Sequence, residues 1–162
     1  MTNRAPGRRE QVGFRVGQQA FCIDIASVIE IRGWTPATPL PGAPAYLKGV
    51  LNLRGTVLPI IDLAVRLGLA STEPSARHAI LVVRSEAGMA GLLVEGVSDI
   101  LQLDDADRQP PPSLGGAPGL VSAVFAVDDM LISLLDLERI LPRSEKRPDA
   151  ATSPEVPRAR AG

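Results

Sequence analysis

Aromatic residues, histidine and cysteine are all scarce in this chain. Only 3% of the 162 residues are aromatic, and there is one histidine and one cysteine. A lone cysteine excludes an internal disulfide, which agrees with a reducing compartment. Because large rings are so few, the core must be filled by the aliphatic residues that raise the apolar share to 45%. This composition favours short hairpins and narrow β structures.

The residues that usually carry enzymatic chemistry are also missing. His78 stands alone at the entrance of a predicted strand, without the second histidine or the cysteine pair that a zinc site needs. No serine lies in a G-x-S-x-G elbow, and neither a P-loop nor a G-x-G-x-x-G stretch occurs. Cys22 is flanked by Phe21 and Ile23, so a small buried thiol is its ordinary interpretation. We therefore expect a protein that is not an enzyme and has no metal and no cofactor.

Charge of one sign and long apolar runs are lacking as well. The net charge of −1, from 17 basic and 18 acidic residues, cannot hold a nucleic-acid backbone or an anionic membrane. No apolar run approaches the roughly 18 residues that cross a bilayer, and the first ten residues hold no apolar stretch. We expect a cytoplasmic protein without nucleic acid and without direct membrane insertion.

Short β-strands are predicted along most of the chain from alternating apolar residues separated by glycine-bearing turns. Arg54-Gly55 is predicted as a tight hairpin turn. Two proline-rich stretches, 36–44 and 104–119, are predicted to be extended segments or exposed loops. The predicted strand regions are a hairpin over 12–25, a hairpin over 49–61, and single runs over 79–84, 89–94 and 97–103.

A strand-to-helix corner occurs twice, with an offset of 74 residues that places Asp62 on Asp136. Each copy reads as a strand arm, a capping aspartate and a short helix, which explains this pair better than a two-carboxylate acid/base site does. A further helix of about two turns is predicted after Asp24, and it would carry Glu30. The acidic run 104–107 lacks the downstream glutamate of a calcium loop.

The folded domain is expected to cover residues 12–141. Residues 1–11 are expected to be a mobile N-terminus. The tail 142–162 has almost no large apolar residue and cannot offset its ordering entropy, so we expect it to be disordered.

Glu30 and Arg54 stand out as a possible charge pair between the predicted helix and the hairpin turn. An exposed ion pair contributes little to stability, so stability alone is a weak reason for it. Two independent solvated charges remain the alternative interpretation.

Several blocks between residues 21 and 137, in order along the chain, carry a resemblance to a known family. They are Phe21-Cys22-Ile23-Asp24-Ile25, Val28-Ile29-Glu30-Ile31-Arg32, Gly49-Val50-Leu51-Asn52-Leu53-Arg54-Gly55, Pro59-Ile60-Ile61-Asp62-Leu63, Val94-Glu95-Gly96-Val97-Ser98-Asp99-Ile100-Leu101, Gln109-Pro110-Pro111-Pro112 and Leu134-Leu135-Asp136-Leu137. With these blocks the chain resembles the CheW-like domain family of chemotaxis coupling proteins over roughly residues 12–141.

The resemblance implies a fold and a function. The fold would be dominated by β structure, with short helices and two small five-stranded β-barrel subdomains sharing a hydrophobic core. The function would be that of a scaffold or adaptor in chemotaxis signal transduction. It would couple the cytoplasmic hairpin tip of methyl-accepting chemoreceptors to the regulatory domain of a CheA-type histidine kinase.

The resemblance also implies partner-binding residues. Glu30 and Arg54 would be a charged pair beside the binding surface, and Gly55 and Val57 would lie toward the kinase. Core packing remains an alternative for two members of the implied apolar groove, Val28 and Ile31. The groove residues are Ile25, Val28, Ile31, Gly96 and Val97.

Two other functions remain open at this point. One is a related coupling module of another chemosensory pathway, such as pilus motility or biofilm control, with the same fold and different receptors. The other is a small-ligand-binding barrel or an unrecognised hydrolase, against which the poverty of histidine, cysteine and tyrosine argues.

Overall fold

Strands dominate the computed structural model, which describes residues 8–70, 73–111 and 119–142. The expected all-β class is confirmed, since the two α-helices in these ranges are only four residues long each. Within the described residues, no helix has the length and apolar character to cross a membrane. The elements are β1 Arg8–Val16, β2 Gln19–Asp24, β3 Val28–Gly33, β4 Leu47–Leu53, β5 Thr56–Asp62, α1 Leu63–Arg66, β6 Ala79–Ser85, β7 Gly88–Val94, β8 Gly96–Asp104, β9 Arg108–Gln109, β10 Val121–Val127, β11 Met130–Leu135 and α2 Leu137–Ile140.

The strands form two curled but open sheets. The six-stranded sheet has the order β8-β1-β2-β11-β10-β9, and the five-stranded sheet has the order β3-β6-β7-β5-β4. Neither order closes on itself, so the expectation of two five-stranded barrels is wrong in closure and, for one sheet, in strand number. The short strand β9 is the sixth strand, and it lies at the opposite edge from β8, which it follows after a single 3-10 turn. So short a connection requires the sheet to curl strongly.

The five-stranded sheet curls in the same way. Thr38, shortly after the end of β3, forms two backbone hydrogen bonds with Val50 of β4, each 2.9 Å long. Strands β3 and β4 are the two edges of this sheet, so the chain draws the edges together.

The two halves of the chain exchange hairpins between the sheets. The parallel pair Ile60 and Gly91 in the five-stranded sheet corresponds to the parallel pair Leu134 and Cys22 in the six-stranded sheet. The offset from Ile60 to Leu134 is the 74 residues seen in the sequence, and the offset from Cys22 to Gly91 is 69. Hairpin β1–β2 therefore completes a sheet built by β8–β11, and hairpin β6–β7 completes a sheet built by β3–β5. We call this arrangement the hairpin exchange.

The largest apolar core lies between the two sheets and is shared by them, as expected, and each sheet also encloses a smaller apolar cluster of its own. Strands β6 and β7 are buried on both faces, and this explains their continuous apolar runs. Both helices add leucine to the core, each behind an aspartate whose carboxylate accepts backbone N–H groups of the first turn. The largest buried members of this core include Phe14, Ile23, Ile61, Leu63, Leu81, Leu92 and Ile140.

The prediction of a two-turn helix after Asp24 is wrong beyond the first turn. Asp24 does act as an N-cap, with a carboxylate oxygen 2.9 Å from the backbone nitrogen of Ala26. The helical turn is a 3-10 turn over Ile25–Ser27, and the chain then continues as β3. Val28, Ile29 and Ile31 are β-branched residues, which lose side-chain freedom in a helix and suit a strand. Glu30 is consequently a strand residue.

Two expected boundaries differ from the structure. Residues 8–11, expected in the mobile N-terminus, belong to β1, and part of the expected loop 104–119 forms a 3-10 turn and β9. The rest of these regions, residues 1–7 and 112–118, lies outside the described residues, as does the tail from residue 143 onward.

Candidate partner-binding site

Glu30 and Arg54 form the charge pair that the sequence suggested. Arg54 Nη2 donates to Glu30 Oε1 at 2.5 Å, and Arg32 Nη1 donates to Glu30 Oε2 at 3.0 Å. Glu30 lies on the edge strand β3, whereas Arg54 lies at the tip of the hairpin formed by β4 and β5. The two edges of the curled sheet therefore meet at one carboxylate, and the interpretation as independent solvated charges is wrong.

The backbone at Arg54 is unusual for an arginine. Arg54 and Gly55 have φ angles of 50° and 89°, which is the left-handed pair of a two-residue hairpin turn. Asn52 Oδ1 accepts a hydrogen bond from the Gly55 nitrogen at 2.8 Å and supports the turn. A non-glycine residue costs about 1 kcal/mol or more in this conformation. Asparagine would suit the turn better, so the turn alone does not explain an arginine here.

The two guanidinium groups lower the pKa of Glu30. The hydrogen bond from Arg54 is the larger cause, and the hydrogen bond from Arg32 is the second. Because the folded-state pKa is lowered, the ion pair is fully present above the ordinary pKa of glutamate and is lost as the pH falls through the lowered value. The pair is therefore intact at neutral pH.

Removing Arg54 should raise the pKa of Glu30 toward its ordinary value. We expect only a partial return in Arg54→Asn, because Arg32 still donates to the other carboxylate oxygen. The measurement is an NMR pH titration of the Glu30 side-chain carboxyl carbon in both proteins. An unchanged titration midpoint would show that Arg54 does not contact Glu30 in solution.

The apolar residues named from the sequence fall into two groups. Ile31 and Val57 are exposed, at 50% and 67%, so core packing does not explain Ile31. Ile25, Val28 and Val97 are half-buried and pack against the core between the sheets. Core packing therefore explains the buried part of the Val28 side chain, and the remaining part is exposed. Gly96 is the first residue of β8, and Gly55 is the exposed second residue of the hairpin turn.

The sequence did not identify two exposed apolar residues and one partner of the ion pair. Ile29 is 41% exposed on β3, and Arg32 is the second partner of Glu30. In the other copy of the corner, Leu131 is 66% exposed, almost the same as Val57. The offset of 74 residues maps Val57 onto Leu131, so the repeat itself held the signal that would have found Leu131.

No metal-binding group was found in the part of the chain that the structure describes, where no three His, Cys, Asp or Glu side chains stand close enough to hold an ion. Cys22 is fully buried, and burial raises the pKa of its thiol to about 12. The thiol is therefore protonated at neutral pH and is a poor nucleophile.

Comparisons with known proteins show what the whole chain is similar to. The family model described as "CheW-like domain" matches residues 10–145. The "Chemotaxis protein CheW" of Rhizobium meliloti (strain 1021) is 47% identical over 152 residues, covering 90% of this chain and 98% of that protein. The "Probable chemotaxis protein CheW" of Rhizobium etli is 48% identical over 141 residues, covering 86% of this chain and 91% of that protein. Among solved structures, the scaffolding protein TtCheW from Thermoanaerobacter tengcongensis matches with a TM-score of 0.77 at 28% identity, covering 82% of this chain and 91% of that chain.

Proposed function

The chain belongs to the CheW-like domain family, and from this premise we infer that it is a non-enzymatic adaptor of chemotaxis signalling. It acts in the cytoplasm and couples methyl-accepting chemoreceptors to a CheA-type histidine kinase. The unit that does so is the domain that begins with β1 and ends with α2. Relatives named as chemotaxis proteins and a structural neighbour described as a scaffolding protein support this proposal.

The observation that carries the proposal is the Glu30–Arg54 pair with exposed aliphatic side chains close by in sequence. Glu30 is followed by Ile31, and Arg54 lies three residues before Val57. Glu30 and Ile31 point to opposite faces of β3, so the edge strand presents a fixed charge on one face and an exposed apolar residue on the other. An exposed edge that carries both is typical of a surface that recognises another protein. The fixed charges set the register of a partner, and the apolar side chains supply the buried area.

Each partner has its own part of this surface. Ile25, Val28, Ile31, Gly96 and Val97 form the groove for the hairpin tip of the receptor. An amphipathic receptor helix would place apolar side chains into such a groove. The exposed hairpin turn with Gly55 and Val57 contacts the regulatory domain of the kinase.

Reversing the charge of Arg54 tests this function. We expect Arg54→Glu to weaken partner binding by about tenfold or more, because it places two acids where a charged hydrogen bond now stands. The melting temperature should change little, because an exposed ion pair contributes little to folding. The measurement is a titration of the full chain against a receptor tip fragment and, separately, against a kinase regulatory domain.

Arg77→Glu is the matched control, since Arg77 is an exposed arginine in a turn with no ion pair among the described residues. It should bind both partners like the unmodified chain. Failure of the unmodified chain to bind either partner would refute the function. Loss of binding only in proportion to lost folding would refute the role of Arg54.

A further inference from the structure

An open cleft of about 350 Å³ lies where the first 3-10 turn meets the start of α2. None of the nine residues of the candidate partner-binding site lines it. Its floor is apolar, with isoleucine and leucine side chains of β2 and β11. Its polar wall consists of Asp24, Ser27, Ser85, Ser122, Asp136 and Glu138.

The hairpin exchange gives this cleft an internal counterpart. Position 62 corresponds to 136 at the offset of 74, and position 93 corresponds to 24 at the offset of 69. The counterpart is a small chamber of about 10 Å³, room for a single water molecule. Its lining has apolar residues at three positions where the open cleft has polar ones. These pairs are Leu93 and Asp24, Val16 and Ser85, and Ala64 and Glu138.

The same structural corner is therefore nearly filled in one copy and open and polar in the other. Packing alone does not require the difference, because the counterpart closes almost completely even though Asp62, His78 and Glu95 also line it. An open volume above about 300 Å³ lies within the size range of ligand sites, and this one is lined by four apolar and six polar side chains.

Hydrogen bonds within the protein show which polar groups are available to a ligand. Both carboxylate oxygens of Glu138 already accept backbone N–H groups, at 3.0 and 3.1 Å. Asp136 is bonded to the nitrogen of Glu138 and contacts Arg139. Asp24 uses only Oδ1, for the nitrogen of Ala26. Its Oδ2 has no hydrogen bond to any described residue.

Ser27 adds a second available group on the same turn. Its hydroxyl also has no hydrogen-bond partner among the described residues, and it lies three residues after Asp24. The cleft thus offers a carboxylate oxygen and a hydroxyl above an apolar floor. A cation that carries several N–H donors on an aliphatic stem complements all three features.

We propose that this cleft binds an alkylguanidinium or alkylammonium group, either as a free small molecule or as the arginine or lysine side chain of a peptide. The charged head donates to Asp24 Oδ2 and to the Ser27 hydroxyl. The aliphatic stem lies on the leucine and isoleucine side chains of the floor.

The test uses the full chain with n-butylguanidinium, with n-butylurea as a neutral probe of the same shape. Binding is followed by NMR chemical shifts of the backbone amides around the cleft. We expect saturable binding of n-butylguanidinium, with an affinity reduced by about tenfold or more in Asp24→Asn. Asparagine is an equally good cap, so the 3-10 turn should persist in this variant.

Asp104→Asn is the matched control, because Asp104 caps the second 3-10 turn in the same way, with Oδ1 3.0 Å from the nitrogen of Ala106. It should bind like the unmodified chain. A short peptide with one central arginine separates the two sources: tighter binding of the peptide indicates a side chain, and equal or weaker binding indicates a free small molecule.

Three results would overturn the proposal: no saturation with n-butylguanidinium, equal affinity for n-butylurea, or the same loss in Asp24→Asn and Asp104→Asn. No chemoreceptor or kinase takes part, so the outcome is independent of the adaptor function.

Discussion

Gly49→Ala is expected to cause a large loss of stability, roughly 3 kcal/mol. Gly49 lies in β4 with a φ of 149°, which side-chain-bearing residues rarely adopt. A Cβ at this position would overlap the backbone carbonyl of Thr38, the residue that joins the segment after β3 to β4. Backbone atoms cannot rotate away as a flexible side chain can, so the bridge or the strand must move.

Thermal unfolding followed by circular dichroism measures this loss, which corresponds to roughly 10 °C for a domain of this size. Gly33→Ala is the matched control from β3, the opposite edge of the same sheet. A Cβ at Gly33 meets nothing within 4 Å, and Gly33 has no positive φ. Gly33→Ala should change the stability by no more than about 0.5 kcal/mol. Equal melting temperatures for the two variants would show that the Thr38 bridge is not formed as described.

Arg66→Met is expected to cost about 2 kcal/mol of stability. Arg66 Nε donates to the carbonyl oxygen of Ile140 at 3.0 Å, and Nη2 donates to that of Arg139 at 2.6 Å. These carbonyls lie at the end of α2, where backbone acceptors lack helical partners. The guanidinium also lies 4.7 Å from the centre of the Tyr46 ring. Methionine keeps most of the aliphatic stem but removes all of these polar contacts.

Urea unfolding gives the free energy for Arg66→Met and for Arg84→Met, its control. The Arg84 side chain is exposed, and the hydrogen bond found for it among the described residues is weak, with Nη2 3.8 Å from the sulfur of Met89. Arg84→Met should therefore be close to neutral. Equal unfolding free energies in the two variants would mean that Arg66 does not hold α2 in place.

Local features of the fold could be predicted from the sequence. The turn at Arg54-Gly55 and the caps at Asp24, Asp62 and Asp136 all depend on a few neighbouring residues, and all are present. The helix expected after Asp24 failed because apolar residues at helical spacing also fit a strand when one face of that strand is exposed. Side chains of β3 alternate between half-buried and exposed. The sequence does not show this alternation, because apolar residues lie on both faces of the strand.

Long-range features could not be predicted from the same patterns. The repeat was visible as an offset of 74, yet the sequence does not say which copy of a hairpin completes which sheet. That choice depends on pairing between residues as distant as Cys22 and Leu134. The sixth strand of the larger sheet was missed because β9 is only two residues long and has no sequence pattern of its own.

The candidate site was predicted in part. The Glu30–Arg54 contact follows from the sequence only as a possibility, and the structure confirms it. Hydropathy alone could not show that Ile31 and Val57 are exposed. Aliphatic residues occur both in the core and on the surface of this chain, so an aliphatic residue in the sequence can be in either place. The assignment of each residue to a receptor or a kinase stays a prediction.

The hairpin exchange has a consequence for synthesis on the ribosome. Hairpin β1–β2 emerges first, but its neighbours β8 and β11 follow only after β3 to β7 have been made. The strands β3 and β5 likewise cannot pair with β6 and β7 until those two strands have been made. The five-stranded sheet cannot be completed before β7 has been made, and the edges of hairpin β1–β2 stay uncovered until β8 and β11 have been made. Because these pairings join strands that are far apart in sequence, folding is expected to be slow for a domain of this size.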